Sequence, residues 1–283
     1  MELPLHVIDT IVANALAEDI GSGDLTTLAA IPATAPMTAH VVTREAGVIA
    51  GLPVVVAVFR QLDPTVKVLL HTTDGAAVAA GAILATVTGP ARSILSGERV
   101  ALNLLQRLSG IATLTAQYVA AVAGTRAQIL DTRKTTPGLR ALEKYAVRMG
   151  GGRNHRFGLY DGVMLKDNHL AMLTAQGIDL AAAIARVRAQ LGPMVRIEIE
   201  VERVADAITA AEAGADLILL DNMPLDQLRA AVQAVAGRAQ TEASGGVNLQ
   251  TVRAIAETGV DYISVGALTH SVRALDIGLD CVA

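Results

Sequence analysis

Eight basic residues fall between Asp131 and His169 in the stretch DTRKTTPGLRALEKYAVRMGGGRNHRFGLYDGVMLKDNH: Arg133, Lys134, Arg140, Lys144, Arg148, Arg153, Arg156 and Lys166. The chain as a whole carries a net charge of −4, and three of its four lysines (Lys134, Lys144 and Lys166, with Lys67 outside) lie in this window. Positive charge is therefore concentrated here against the global balance. Interrupted by Gly150, Gly151 and Gly152, it suits a strongly anionic small ligand, because guanidinium forks match carboxylates and ammonium groups act as compact charges toward phosphates. A solvated basic helix face could hold similar residues, but these span a turn, a helix and a glycine loop.

The complementary groups come later in the chain. Glu198 and Glu200 alternate with isoleucine in VRIEIEVE and so share one face of a strand. Asp221 closes the apolar run LILLD. Glu200 and Asp221 are hard oxygen ligands suited to Mg²⁺, which takes a few carboxylates together with substrate phosphates; spacing alone does not choose between Glu198 and Glu200. Lys134 and Lys166 can neutralise a diphosphate leaving group, and Arg133 and Arg156 offer planar forks to carboxylates. Ser244–Gly245–Gly246 and Gly266–Ala267 are small turns ahead of helices, whose free N–H groups can hold a phosphate. One ligand with carboxylates and another with phosphates, diphosphate and Mg²⁺ would satisfy this set.

These groups need a scaffold that brings distant segments together. Beyond Gly124 a unit repeats: a short run rich in Leu, Ile or Val, then a helical segment. The runs are AQILDTRK, GVMLKDNH, VRIEIEVE, ADLILLDNM, AQTEASGGV and DYISVGALT. Alternating strands and helices imply parallel strands with helices outside, and strands that nearly all end in a polar residue imply an α/β barrel with its chemistry at the C-terminal strand ends. An eight-unit barrel takes about 250 residues where roughly 150 are available, so an incomplete barrel of six or seven strands is expected. The first third reads as an α+β layer of strands with a helix on one face. Its Asp19, Asp24 and His71 are explained by turn capping and exposure. A long helix follows from Ser93. With Ser96 as its N-cap, Arg99 falls in the first turn, where a cation opposes the helix dipole; that placement fits either an outside partner or a plain Glu98–Arg99 surface pair.

Composition removes other classes. No apolar run reaches the roughly 18 residues that span a bilayer, and MELPLHVIDTIVANALAEDIGSGD lacks the basic start and apolar core of a signal peptide. Aromatic residues make up 2% and the chain is acidic overall, which removes stacking platforms and duplex-binding charge, so nucleic acid is not an expected partner. The one cysteine, Cys281, excludes an internal disulfide framework and a cysteine metal site and fits a reducing cytoplasm.

The basic stretch, with EDIGSGDLTT, SGERVALNLLQRLSGIAT, IEIEVE, LLDNM, EASGGV and YISVGALTHS in the same order, resembles the signature of the quinolinate phosphoribosyltransferase family, decarboxylating nicotinate-nucleotide pyrophosphorylases. The likeness covers nearly the whole chain. It implies an α/β fold with an N-terminal α+β open-faced sandwich (1–110), an incomplete barrel (111–270) and a C-terminal tail (271–283) returning to the sandwich. It implies conversion of quinolinate and phosphoribosyl diphosphate to nicotinate mononucleotide, CO₂ and diphosphate, in a homodimer whose site is completed by the second subunit, or a hexamer built as a trimer of dimers. By the resemblance, Arg99 reaches into the neighbour's site. Arg133, His155, Arg156 and Lys166 hold the two carboxylates of quinolinate, and Thr132 is a further substrate-binding residue. Lys134, Glu200 and Asp221 are catalytic and handle phosphoribosyl diphosphate, with Glu200 and Asp221 on its Mg²⁺. Ser244, Gly245 and Gly246 and the Val265, Gly266 and Ala267 turn bind phosphate. Arg140, Lys144 and Arg148, on the intervening helix, are left to solvent or the partner subunit. Rival readings are a phosphoribosyltransferase using nicotinate without decarboxylation, a molybdenum-transport-associated paralogue of the same fold, and a non-catalytic anion-binding barrel.

Overall fold

The computed structural model describes residues 3–282, so the expected limits at Met1 and Ala283 lie outside the described residues. The elements run α1 (Leu5–Ile20), α2 (Leu25–Ala30), β1 (Pro36–Thr43), β2 (Gly47–Val48), α3 (Leu52–Leu62), β3 (Lys67–Leu70), β4 (Ala77–Val78), β5 (Ile83–Pro90) and α4 (Ala91–Ala121). Then follow β6 (Gln128–Leu130), α5 (Arg140–Met149), β7 (Val163–Leu165), α6 (Asp167–Thr174), α7 (Leu180–Arg188), β8 (Ile197–Val201) and α8 (Val204–Glu212). The chain closes with β9 (Leu217–Asp221), α9 (Leu225–Val235), β10 (Gln240–Ser244), α10 (Val252–Ala256), β11 (Tyr262–Ser264), α11 (Ala267–His270) and β12 (Ile277–Cys281). Among the described residues no helix is long and apolar enough to cross a membrane.

Two compact units form. The first takes residues up to 116, 135–151 and from 268 on; the second takes 117–134 and 152–267. The basic stretch is thus divided, with its helix α5 in the first unit.

The first unit is built on an antiparallel sheet in the order β12-β1-β5-β3. The tail strand β12 pairs with β1 from Ala39↔Cys281 to Thr43↔Ile277. Helix α3 packs on α1 and β3, burying Leu52, Val54, Val55, Val58 and Phe59. Asp24 caps α2, accepting from the Thr27 amide at 2.9 Å, which is the structural role expected of it. One expectation fails here. Helix α4 begins at Ala91, not Ser96, so Arg99 lies in its third turn and opposes no helix dipole. The Ser96 hydroxyl donates to Asp24 Oδ2 at 3.0 Å instead of capping, and α4 is already under way by that point. Lys144 also departs from expectation. It is 2% exposed, because α5 is enclosed on nearly every side and buries Leu142, Glu143, Tyr145, Ala146 and Val147 together with it.

The second unit is a parallel sheet in the order β6-β11-β10-β9-β8-β7, the six strands of an incomplete barrel. Strand alternation sorts its chemistry. Ile197, Ile199 and Val201 of β8 are buried on the helix-covered outside, which leaves Glu198 and Glu200 on the inner face.

Candidate active site

The open edge of the barrel, between β6 and β7, is partly filled by residues after the glycine loop. Arg153 donates its amide to Ile129 O at 2.8 Å, the Asp131 amide donates to Arg153 O at 3.2 Å, and Leu130 bridges Arg153 in parallel. Asp131, wholly buried at the end of β6, accepts from the His155 amide at 2.9 Å and from the Asn154 side chain. This extra rung turns His155 inward. Its Nε2 lies 2.9 Å from Glu198 Oε2 and 3.5 Å from Glu242 Oε2.

Two carboxylates and an imidazole buried together must share protons, since an isolated buried charge is costly. Burial by itself lowers the His155 pKa, but hydrogen bonds and charge from Glu198 and Glu242 outweigh it and raise it to about 10. Glu198 is pushed up by burial and by the charge of Glu242, against the pull of His155. The Arg156 amide, 2.8 Å from His155 Nδ1, instead favours a neutral ring with its proton on Nε2. We favour a proton shared across the 2.9 Å His155–Glu198 contact. On either partner it leaves the three groups with one net negative charge, because imidazolium with two carboxylates and imidazole with one carboxylate and one carboxylic acid sum alike. His155 is raised above its ordinary 6.5, so its stabilisation is complete below that value and is lost as pH rises toward about 10. Urea midpoints should therefore fall between pH 7 and pH 9.5, by at most about 1.4 kcal/mol per pH unit. A His155→Asn variant should flatten that slope; an equally steep slope in the variant would remove the cluster as its source.

At the C-terminal strand ends the sequence-selected residues gather. Arg133 and Arg156 are close enough that burial first, and then the charge of Arg133, hold the Arg156 guanidinium below its usual value. Such like charges, partly out of water, are a standing demand for an anion. Arg156 is steadied by donating Nη1 to Gly162 O at 3.0 Å. Lys166, at the end of β7, pairs with Glu200 of β8, and its amide donates to His169 Nδ1 at 3.0 Å, which gives His169 a structural role. Lys134 is exposed at the rim, its amide donating to Thr132 Oγ1 at 3.0 Å. Thr132, Arg133, Lys134, His155, Arg156, Lys166, Glu200, Asp221, Ser244, Gly245, Gly246, Val265, Gly266 and Ala267 all belong to the barrel unit. Arg99 belongs to the other, with its side chain 59% exposed and 4.0 Å from Glu98.

Glu200 and Asp221 stand at the ends of the adjacent strands β8 and β9, both half-exposed. Two hard carboxylates with room for water and phosphate oxygens fit Mg²⁺. His155, Glu198 and Glu242 are the tighter group, with ligand atoms all within 4.8 Å. Their burial and their mutual pairing suit a shared proton better than an ion that keeps several waters. A cleft of about 370 Å³ is lined by His155, Arg156 and Glu198 together with Val163, Arg196, Leu217 and Tyr262, which stand at or just before the starts of their strands.

Asp221 is aimed by a neighbour. Asn222 takes a left-handed φ of 51°, donates Nδ2 to Asp221 Oδ2 at 2.7 Å, and donates its amide to Ser244 O at 2.9 Å. A Cβ on Gly245, where φ is +94°, would lie 2.0 Å from Asn222 Oδ1. Gly245→Ala must therefore displace Asn222 and with it Asp221, and turnover should fall on the order of 10²-fold. Gly246 at φ +60° has open space around it, so Gly246→Ala carries only the backbone cost of about 1 kcal/mol. Equal losses in kcat for the two variants would remove the Asn222 contact as the reason.

Two residues of this site escaped the sequence reading as functional groups. Asp131 follows the apolar end of β6, a weak signal that was present; the backbone geometry of Asn222 left no signal at all.

Residues 24–109 match the model of the quinolinate phosphoribosyl transferase N-terminal domain, and residues 111–280 match that of the C-terminal domain. The chain is similar to the probable nicotinate-nucleotide pyrophosphorylase [carboxylating] of Bacillus subtilis (strain 168), 48% identical over 93% of this chain and 89% of that protein. It is 49% identical to the nicotinate-nucleotide pyrophosphorylase [carboxylating] of Mycobacterium leprae (strain TN), over 95% of each. The crystal structure of NadC from Streptococcus pyogenes superposes with a TM-score of 0.94 at 43% identity, covering 100% of both chains.

Proposed function

The chain belongs to the quinolinate phosphoribosyltransferase family, and we propose that the barrel rim carries out that family's reaction with the residues described above. The enzyme is a decarboxylating nicotinate-nucleotide pyrophosphorylase of NAD biosynthesis, converting quinolinate and phosphoribosyl diphosphate to nicotinate mononucleotide, CO₂ and diphosphate. The observation that carries the site assignment is the half-buried pair Arg133 and Arg156, whose mutual repulsion a dicarboxylate relieves.

Arg133 and Arg156 orient the quinolinate carboxylates, with Thr132 and Lys166 beside them. His155, held from behind by Glu198 and Glu242, contributes orientation and a shared proton close to that pocket. The substrate so fixed presents its ring nitrogen to C1 of the ribose. The N–C1 bond forms as the C1–oxygen bond breaks and diphosphate leaves with the electron pair. Lys134 meets the charge growing on diphosphate, and the N–H groups of the Ser244–Gly246 and Val265–Ala267 turns hold phosphate. Glu200 and Asp221 would hold Mg²⁺, which supplies charge neutralisation to the leaving diphosphate. In the second step the bond from C2 to its carboxylate breaks and CO₂ leaves; the electron pair stays on C2, stabilised by the adjacent positive ring nitrogen, and takes up a proton from water. Positioning and charge carry most of the rate.

Lys166 pairs with Glu200. Glu200 would hold Mg²⁺ and Lys166 would hold quinolinate, so each would exchange this pairing for a substrate, and the two substrates should assist each other's binding. Quinolinate should bind several-fold more tightly in the presence of Mg²⁺ and an unreactive phosphoribosyl diphosphate analogue. Identical affinities measured by calorimetry would exclude that exchange.

The assembly assigned is a homodimer with Arg99 supplied by the second copy, or a hexamer as a trimer of dimers, in the cytoplasm. The exposure of the Arg99 side chain supports this. The test of function is incubation with quinolinate or nicotinate, each with phosphoribosyl diphosphate and Mg²⁺. Mononucleotide from quinolinate with one CO₂ released per turnover is expected; mononucleotide without CO₂, or turnover of nicotinate alone, would overturn the reading.

A further inference from the structure

The strands β6 and β11 are neighbours, paired from Tyr262↔Gln128 to Ser264↔Leu130, so the loops that follow them leave the barrel side by side. One loop carries Lys134 and the other carries Gly266 and Ala267, the residues assigned above to diphosphate and phosphate. The chain passes from the barrel unit to the first unit between residues 134 and 135, and again between 267 and 268. Just beyond each crossing, the same ion pair takes hold. Arg107 of α4 donates Nε to Glu143 Oε1 of α5 at 2.8 Å, with Nη2 2.6 Å from that oxygen. Its Nη2 also reaches Thr136 Oγ1 at 2.9 Å and Thr269 O at 2.8 Å. Glu143 Oε2 in turn accepts from the Thr136 amide at 3.1 Å.

The Glu143 side chain is 0% exposed, so removing its partner leaves a carboxylate with no water to replace it. A planar fork is needed here, because one guanidinium serves Glu143 and two separate loops at once. A surface ion pair would do nothing comparable. Thr136 stands two residues after Lys134, and Thr269 two residues after Ala267 within α11; the pair grips the chain at both points.

We propose that Arg107 and Glu143 are positioning residues that act chiefly on phosphoribosyl diphosphate, fixing the Lys134 loop and the Gly266 turn in register, whereas Arg156 and Lys166 of the quinolinate pocket lie on other segments. The proposal rests on the phosphate assignments of Lys134 and the Gly266 turn. Neither residue touches a substrate; both act through the two chain segments they hold.

The experiment compares wild-type enzyme with Arg107→Lys and Arg107→Ala. Lysine keeps the charge and one contact but loses the fork. Arg107→Ala should lower kcat/KM for phosphoribosyl diphosphate on the order of 10²-fold, with Arg107→Lys recovering part of the loss. The dissociation constant of quinolinate alone, from calorimetry, should rise several-fold less than that of diphosphate in both, because Arg156 and Lys166 lie off the gripped loop even though Arg133 lies on it. Titration with inorganic diphosphate should show the same ranking without turnover, which separates this proposal from the reaction assignment: a wild type that binds diphosphate but forms no mononucleotide would sink the reaction and leave the positioning readable. Should Arg107→Ala fail to fold, Arg107→Lys carries the comparison. Parallel losses for quinolinate and diphosphate, or no loss for diphosphate, would overturn the proposal.

Discussion

Replacing Lys134 with alanine should abolish most turnover while leaving the protein folded. The side chain is exposed at the rim, so its loss opens no cavity and breaks no buried network. Its work falls in the transition state, where diphosphate gains charge as the C1–oxygen bond lengthens. Removing one such preorganised group costs about 10²–10³-fold in kcat, or roughly 3–4 kcal/mol. Quinolinate binding should be nearly unchanged, because the arginines that meet its carboxylates remain. The measurement is kcat at saturating substrates, with quinolinate affinity from calorimetry. A Lys134→Ala enzyme retaining more than a tenth of wild-type kcat would remove this lysine from the chemistry and favour a barrel that merely binds anions.

A mixture of two inactive enzymes should regain activity. Arg99→Ala alone should lose turnover by orders of magnitude if its guanidinium completes the second copy's site, and the exposed side chain means that folding is spared. In a one-to-one reassociated mixture of Arg99→Ala and Lys134→Ala, half of the dimers are mixed. Each mixed dimer has one site with both native residues and one with neither, so about a quarter of wild-type activity should return. Simple addition of the two residual activities would mean that Arg99 works in its own subunit or not at all.

The charged inventory was legible in the sequence because chemistry of this kind needs particular residue types. Arg133, Arg156, Lys134 and Lys166 stood out against an acidic chain, and the Ile–Glu alternation of β8 told which carboxylates face inward. An incomplete barrel of six or seven strands was legible because most runs are short, end in a polar residue and are followed by a helical segment; the structure decides for six. Helix α5 was misread for a definite reason. Its basic residues are spaced like a solvent-facing helix, yet Lys144 is buried, and a charge pattern cannot report what another part of the chain lays over it. Arg99 was misplaced in its helix for a similar reason, since Ser96 looks like an N-cap but spends its hydroxyl on Asp24.

By itself, then, the sequence determined the reactive groups, their order along the chain and the period that makes strands and helices. Those are local properties, set by side-chain chemistry and by backbone periodicity. The tertiary structure alone decided which groups meet. It brought His155 against Glu198 and Glu242, set Asn222 to aim Asp221 under Gly245, and let Arg107 and Glu143 hold two loops 133 residues apart at Thr136 and Thr269. Such pairings join residues from separate strands and helices, and their strength comes from burial, which exists only once the chain has closed around them.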